Sequence, residues 1–312
     1  MNMQLHHKIE DLIHHGTPEI ALTFGNFDGV HRGHQDMLKS LKTYAQSKNS
    51  ALTVMTFTPH PRKILSSESE RFLIGSYQQR REWLAELGVE HLIEISFTRD
   101  FSTLGPETFL RQHVLNYPGL RSVHLGWDFA FGSNKSGEAN LVKELCRPLD
   151  IEVQVCEAFA LKENTVSSTS IRKSLRRGDV ISARDMLGRD FSVSGVVVRG
   201  EGRGRKIGVP TANLQMDADI IIPLRGVYIT ESVYRGIAYK SVTNIGFNPT
   251  FKDEKDLTVE THLIDFAGDL YGETIEVRFL GRIRDERKFS NVNDLIEQLK
   301  ADINVGRNHS RS

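Results

Sequence analysis

Two cysteines in 312 residues, Cys146 and Cys156, are too few for a disulfide framework and have no companions at metal-site spacing. The chain therefore reads as one that keeps free thiols in a reducing compartment, the cytoplasm. Charge of one sign is missing too: 40 Lys and Arg stand against 40 Asp and Glu, a formal net charge of zero. That balance removes any global electrostatic case for a nucleic-acid or membrane partner and requires an anion site to be local. No stretch approaches the roughly 20 apolar residues of a membrane span, and the N-terminus MNMQLHHKIEDLIHHG has no signal-peptide core. The dipeptide Gly-Lys never occurs, so there is no Walker A loop. Internal repeats, low-complexity spacers and any mark of an obligate protein partner are equally lacking.

What is present is length and pattern. With 39% hydrophobic content, 312 residues suffice for two moderate cores. Residues 20–24 and 51–57 are β-rich apolar runs, and between them Met37, Leu38, Leu41, Tyr44 and Ala45 recur near helical spacing over 36–46, which predicts a β-α-β unit. The alternation continues with a helix over 77–87, a strand over 91–95, a helix over 106–116 behind a capping Thr103, and a strand over 122–125. Such alternation implies a Rossmann-like, doubly wound parallel sheet with its ligand crevice beyond the strands' carboxyl ends. Near Gly188 the pattern changes to β runs at 191–198, 226–230, 240–245, 258–263 and 274–280, with a single helix over 292–302. This predicts a small barrel closed by one helix. The reading is thus an α/β domain over 1–186 and a β domain over 187–312, joined near 182–190. The histidines His6, His7, His14 and His15 read as a solvated helix or frayed terminus.

The stretch LTFGNFDGVHRGH, residues 22–34, leads from the first strand through Gly25, Gly29 and Gly33 into a helix beginning around His34. A glycine turn opening a helix brings backbone N–H groups and the positive helix end to a phosphate. His31 and His34, three apart, share a face of the first turn and can both donate to phosphate oxygens, stabilising charge that grows during phosphoryl or nucleotidyl transfer. Surface histidines after an ordinary turn, or a metal site, are the competing readings; zinc is opposed by the absence of HExxH spacing and of a third ligand nearby. A second stretch, VSSTSIRKSLRRGD at 166–179, sets hydroxyls before a helix bearing Arg172, Arg176 and Arg177, which suits β- and γ-phosphates or is simply an N-capped basic helix. In the β module, RGEGRGRKIGVPTANL at 199–214 places Gly200, Gly202, Gly204 and Gly208 ahead of Thr211 and Asn213. Such a backbone can wrap phosphates, with a hydroxyl and an amide for Mg-ATP. Its arginines also read as a solvated turn or a weak nucleic-acid patch that lacks interleaved aromatics.

His31-Arg32-Gly33-His34 resembles the (H/T)xGH signature of the nucleotidylyltransferase superfamily, and residues 166–172 resemble its ISSTxIR signature with valine for the leading isoleucine. The resemblance implies attack by an acceptor phosphate on the α-phosphate of ATP, with pyrophosphate leaving. It implies that His31 and His34 hold the transition state, that Arg172 holds the departing phosphates, and that Gly25, Phe27, Gly33, Ser168 and Thr169 line the ATP site. FTPHPRKIL at 57–65 and LGWDFAFGSNKSG at 125–137 are similar to the acceptor loops of the flavin-specific branch. This implies FMN as acceptor, against Phe57, His60, Arg62, Asp128 and Phe129. Phe57, Trp127, Phe129 and Phe131 offer faces to an isoalloxazine ring, with core packing as the competing reading.

PTAN at 210–213, SVTNIGFNPTF at 241–251, VETHLIDFAGDLYG at 259–272 and RIRDERKF at 282–289 together resemble the riboflavin kinase family. The resemblance implies a six-stranded barrel, Glu260 as general base for the riboflavin 5′-hydroxyl, Gly204 and Gly208 at ATP phosphates, and Thr211 and Asn213 at magnesium and phosphates. A primary alcohol is a poor nucleophile at neutral pH, so a carboxylate within reach assists it. On its strand Glu260 takes the face opposite Val259 and Thr261, and a plain outward charge is the other reading. The two resemblances follow each other in the order of the bacterial bifunctional riboflavin kinase/FAD synthetase family. That order implies riboflavin to FMN in the β module and FMN to FAD in the α/β module, with ATP and Mg2+ in both and the flavins as substrates and products. A single-activity enzyme with one module turned to flavin sensing, and an RNA-binding regulator, are the alternatives; intact motifs oppose the first and neutral charge the second.

Overall fold

Every residue of β2 (Ile20–Phe24) is buried, as befits a strand covered on both faces of a parallel sheet. The computed structural model describes residues 3–16, 19–66, 70–127, 131–133, 136–161, 164–200, 202, 204, 207–247 and 257–310. The chain packs as two units, the first Met1–Glu70 with Tyr77–Val166, the second Arg71–Ser76 with Ser167–Ser312.

In the first unit β2 lies in a six-stranded sheet of order β1-β4-β3-β2-β5-β6, every neighbouring pair parallel. Its partners are β1 (Gln4–His6), β3 (Ala51–Thr58), β4 (His91–Ser96), β5 (Leu120–Leu125) and β6 (Glu152–Val155). The helices are α1 (Arg32–Ser47), α2 (Pro61–Leu65), α3 (Tyr77–Glu86), α4 (Pro106–His113) and α5 (Ala139–Cys146), and a short ribbon of β7 (Ala160–Leu161) and β8 (Asn164–Thr165) follows. The strand order turns back at β2, with β3 and β4 on one side and β5 on the other, so the crevice of a doubly wound sheet opens beyond β2 and β5.

Three expectations are corrected here. Helix α1 starts at Arg32, two residues early, because His31 itself is the N-cap. Helix α4 starts at Pro106 behind Gly105 and stops at His113, since proline at the first position fixes the start and leaves Thr103 in a preceding 3-10 turn. The terminus is not wholly solvated: His6 on β1 is buried and shares a 3.1 Å Nε2···Nδ1 hydrogen bond with His91. Both cysteines are free thiols, and burial pushes the Cys146 thiol up to about 11.

Buried His124 on β5 carries a pH consequence. Burial lowers its pKa to about 4, against a smaller opposing pull from Glu152. The unfolded ring protonates near its ordinary 6.5 while the folded ring stays neutral, so this group's stabilisation is full above pH 6.5 and is lost as pH falls towards 4. At about 1.4 kcal/mol per pH unit the loss is of order 3 kcal/mol. Denaturant midpoints followed over that range should fall steeply for the native sequence and less for His124→Gln.

In the second unit the barrel closes in the order β10-β13-β12-β11-β14-β9. Its strands are β9 (Phe191–Val198), β10 (Ala212–Gln215), β11 (Gly226–Tyr234), β12 (Ile237–Phe247), β13 (Leu257–Leu263) and β14 (Thr274–Arg284). Inward alternation brings Thr230, Ser232, Ser241, Thr243 and Thr261 together, and their hydroxyls form a closed ring of five hydrogen bonds of 2.8–3.3 Å. Five hydroxyls, each with one proton to donate, satisfy one another without water. Helix α6 (Ser168–Arg176) and helix α7 (Val180–Leu187) belong to this unit. The expected connection near 182–190 is therefore mostly helix, capped by Asp179 at one end and by left-handed Gly188 at the other. Helix α8 (Val292–Asn308) lies against β12 where Gly306 faces Val242 so closely that a Cβ would sit 2.7 Å from Cγ2. Its Asp302, 1% exposed, accepts from the Nε and Nη2 of Arg284. The segment Arg71–Ser76 joins this unit through backbone bonds from Phe72 and Leu73 to the Asp219 carbonyl and from Ile221 to the Leu73 carbonyl.

Candidate active sites

The turn after β2 is conformationally costly. Phe27, Gly29 and Val30 take φ of 50°, 75° and 35°, and a β-branched valine in that region stores on the order of 1–3 kcal/mol of strain, a cost found mainly at functional sites. The turn delivers His31 to the start of α1, where its Nδ1 accepts from the His34 backbone N–H at 3.4 Å. An accepting Nδ1 assigns the ring proton to Nε2. The His31 and His34 rings stack at 3.7 Å with 16° between planes, and Phe27 lies 4.9 Å from His34. Gly33 serves the histidines as well as any ligand, since a Cβ there would meet the His31 ring at 3.2 Å. Gly25 donates to the Met55 carbonyl at 3.1 Å and tolerates ordinary contact with Phe27.

Of the residues expected at the flavin, Phe57 sits near the carboxyl end of β3, half-buried within an aromatic cluster of Phe97, Phe101 and Phe109 at 5.7–6.2 Å. His60 is buried and works locally, its Nδ1 capping α2 by accepting from the Arg62 N–H at 3.1 Å while its own N–H donates to the Tyr77 hydroxyl at 2.8 Å. Arg62 pairs with Glu70 at 2.5 Å. Trp127 is 51% exposed, whereas Phe131 packs edge-on to Phe24 at 5.7 Å. Asp128 and Phe129 lie outside the described residues.

In the second unit Ser168 and Thr169 open α6, whose N-cap is Ser167, accepting from the Ser170 N–H at 3.2 Å. Arg172 is buried, and its Nε donates to the Phe72 carbonyl at 2.7 Å. One edge of its guanidinium thus fixes the backbone of the 71–76 segment.

The barrel's outer face brings together the segments that resemble a kinase in sequence. Across adjacent strands Asn213 registers with Glu260, and Glu260 with Asn244, so the three side chains form a row on the face opposite Val259 and Thr261. Glu260 is therefore half-buried between two amides, not a lone outward charge. A Cβ on Gly200 would fall 2.3 Å from Asn213 Nδ2, and one on Gly204 would fall 2.3 Å from the Val209 carbonyl and 3.5 Å from Thr211 Oγ1. Gly204 and Gly208, the latter at φ 80°, close a turn that donates from Val209 back to the Gly204 carbonyl. This glycine cradle with a hydroxyl and an amide oxygen matches the hard-oxygen preference of magnesium, which takes few protein ligands beside substrate phosphates. Among the described residues no cluster of three His, Cys, Asp or Glu could hold a metal.

Several residues here escape a sequence reading. Asn244 lies in a quoted motif but is marked only by its register with Glu260. His262 holds the PTAN turn through a 2.8 Å hydrogen bond from Nδ1 to the Pro210 carbonyl. Buried Arg80 and half-buried Arg81 on α3 both pair with buried Glu94 on β4, a cluster that carries no local sequence signal.

Comparison with known proteins agrees with both halves. A family model described as FAD synthetase matches residues 14–170, and one described as riboflavin kinase matches residues 187–310. The chain is 35% identical over 289 residues to the bifunctional riboflavin kinase/FMN adenylyltransferase of Bacillus subtilis, covering 90% of each. It is 34% identical to that of Listeria monocytogenes and 32% to that of Escherichia coli K12, again over 90% of each chain. A crystal structure described as a macrolide-efflux protein from Streptococcus pneumoniae superposes with TM-score 0.87 and 32% identity over 99% of this chain and 100% of that one. Among the described residues of this chain no helix is long and apolar enough to cross a membrane. A parallel sheet with paired histidines at its switch point, followed by a barrel with a glycine cradle, is thus matched in both halves and in order: the chain belongs to the bifunctional riboflavin kinase/FMN adenylyltransferase family, which transfers phosphate from ATP to riboflavin and then an adenylyl group from ATP to FMN.

Proposed function

We propose that the two reactions divide between residues 1–186 and 187–312, with the following roles. In the first, an FMN phosphate oxygen attacks the α-phosphorus of ATP, a new O–P bond forms and the bond to pyrophosphate breaks. His31 and His34 donate to the oxygens on which charge grows, Phe27 and Gly25 border the adenylate, and Ser168, Thr169 and Arg172 serve the leaving phosphates. Phe57, His60, Arg62, Asp128 and Phe129 are the residues assigned to the flavin. The observation that carries this half is the stacked pair at the first turn of α1, with room for the His31 ring left by the glycine at position 33.

In the second reaction Glu260 takes the proton of the riboflavin 5′-hydroxyl as its oxygen bonds to the γ-phosphorus and ADP leaves. Its cross-strand row with Asn213 and Asn244 supports this role. Thr211 and Asn213 would hold Mg2+ with the ATP phosphates, against the Gly204 and Gly208 turn. When bound, the ion neutralises phosphate charge and orients the triphosphate. The reactions run in the cytoplasm on free flavins, with no nucleic acid, membrane or obligate protein partner.

A chromatographic time course with riboflavin, ATP and magnesium should show FMN rising and then yielding FAD. Chelation of magnesium should stop both steps. FMN accumulating without FAD, or turnover surviving chelation, would sink the corresponding part of the reading.

A further inference from the structure

We infer that Arg80 is a positioning residue for adenylyl transfer, holding the phosphate turn after β2 and the flavin-side loop after β3 in fixed register. The problem it solves is electrostatic. The strand ladder between β2 and β3 ends at Phe24 and Met55, and beyond it the carbonyls of Asn26 and Phe57 both reach Arg80 Nη1, at 3.2 and 3.1 Å. Two acceptors cannot pair with each other; the Thr56 hydroxyl on β3 also donates to the Asn26 carbonyl at 3.2 Å, and Arg80 is the donor that the two carbonyls share. The same guanidinium reaches Thr58 Oγ1 at 2.7 Å and Glu94 Oε1 at 2.9 Å through Nη2. It also lies 5.1 Å over the ring of Tyr77, whose hydroxyl accepts from the His60 N–H.

One side chain on α3 therefore touches the start of the turn that ends at His31, the start of the loop that carries His60 and Arg62, and the aromatic residue that anchors that loop. Such a charge survives burial because Glu94 neutralises it. Arg80 and Glu94 are 4% and 2% exposed at their side chains, and Arg81 gives Glu94 a second partner. Burial pushes the Glu94 carboxyl up, but hydrogen bonds from Arg81 and Arg80 overcome that and hold it below the usual carboxylate range. Only a rigid guanidinium fork supplies four directed bonds from two nitrogens. The substrates bind on either side of this joint, so its loss shifts one against the other, and misplacement by about 1 Å can cost 10²-fold in rate.

This inference rests on assigning adenylyl transfer to the first unit. The test compares Arg80→Met, Arg80→Lys and the double variant Arg80→Met/Glu94→Gln, scoring adenylylation of FMN and phosphorylation of riboflavin in the same preparation. Arg80→Met should lower kcat for FMN adenylylation about 10–100-fold at saturating ATP and FMN, with riboflavin phosphorylation unchanged. Arg80→Lys, which keeps a charge beside Glu94, should recover part of that kcat. In Arg80→Met the buried Glu94 keeps only Arg81 as a partner; the double variant removes that remaining buried charge, which guards against loss of folding, and it should retain the low kcat. Native kcat in either folded Met variant, or equal loss of both activities in the double variant, overturns the positioning role. Failure of the site assignment itself would appear separately, as FAD formation that survives His31→Ala.

Discussion

Replacing His31 with alanine should halt the conversion of riboflavin at FMN. In the family reaction no protein nucleophile is needed, so in the proposed role the residue acts through hydrogen bonding to a charged transition state. Loss of one such donor costs about 10²–10³ in kcat. His31 has a second duty, because its Nδ1 caps α1, and loss of an N-cap costs about 0.5–2 kcal/mol of stability. His31→Asn separates the two: asparagine is a strong N-cap but cannot reproduce the Nε2 donor, so the helix start is kept while FAD synthesis stays low. Chromatography of FMN and FAD against time, with the riboflavin phosphorylation rate as reference, reads both effects. Native FAD formation in the alanine variant would remove His31 from the reaction.

Glu260→Gln should do the reverse. The amide fits the space between Asn213 and Asn244 but accepts no proton, and loss of a general base lowers rate about 10²–10⁴-fold. Riboflavin should then remain unchanged, while FMN added from outside still becomes FAD. Persistence of riboflavin phosphorylation would return Glu260 to the role of an outward charge on an alternating strand. Taken with the histidine variant, the two blocks fall at different intermediates, so a general loss of folding cannot imitate both.

The long elements were legible because their periodicity is strong. β9 alternates between buried and exposed positions over part of its length, and α1 keeps Met37, Leu38, Leu41 and Ala45 on one buried face. The short ones were not. β1 has three residues and β10 four, too few for any period to declare itself, and β6 is mostly exposed. Helix α7 was readable from Asp179 before it and Gly188 after it, both standard end signals, yet the segment read as a connection. Site residues divided the same way. Glycines and histidines announce themselves by type and spacing, whereas Arg80 and Glu94 look like solvated charges until the fold buries them against each other. Arg172 was expected at departing phosphates, and its bond to the Phe72 carbonyl belongs to a segment a hundred residues earlier that no local pattern connects to it.

The excursion of Arg71–Ser76 has a topological consequence. The polypeptide passes between its two packed units at three places, after Glu70, after Ser76 and after Val166. A single scission anywhere therefore cannot liberate both units whole. Cleavage at the edge of the riboflavin kinase match, near 187, would strip from the barrel both α6 and α7 and the backbone partners of Asp219 and Ile221. Modularity by sequence family and modularity by packing are two different partitions of this chain, and gene fusion or fission at the first would leave the second with missing pieces.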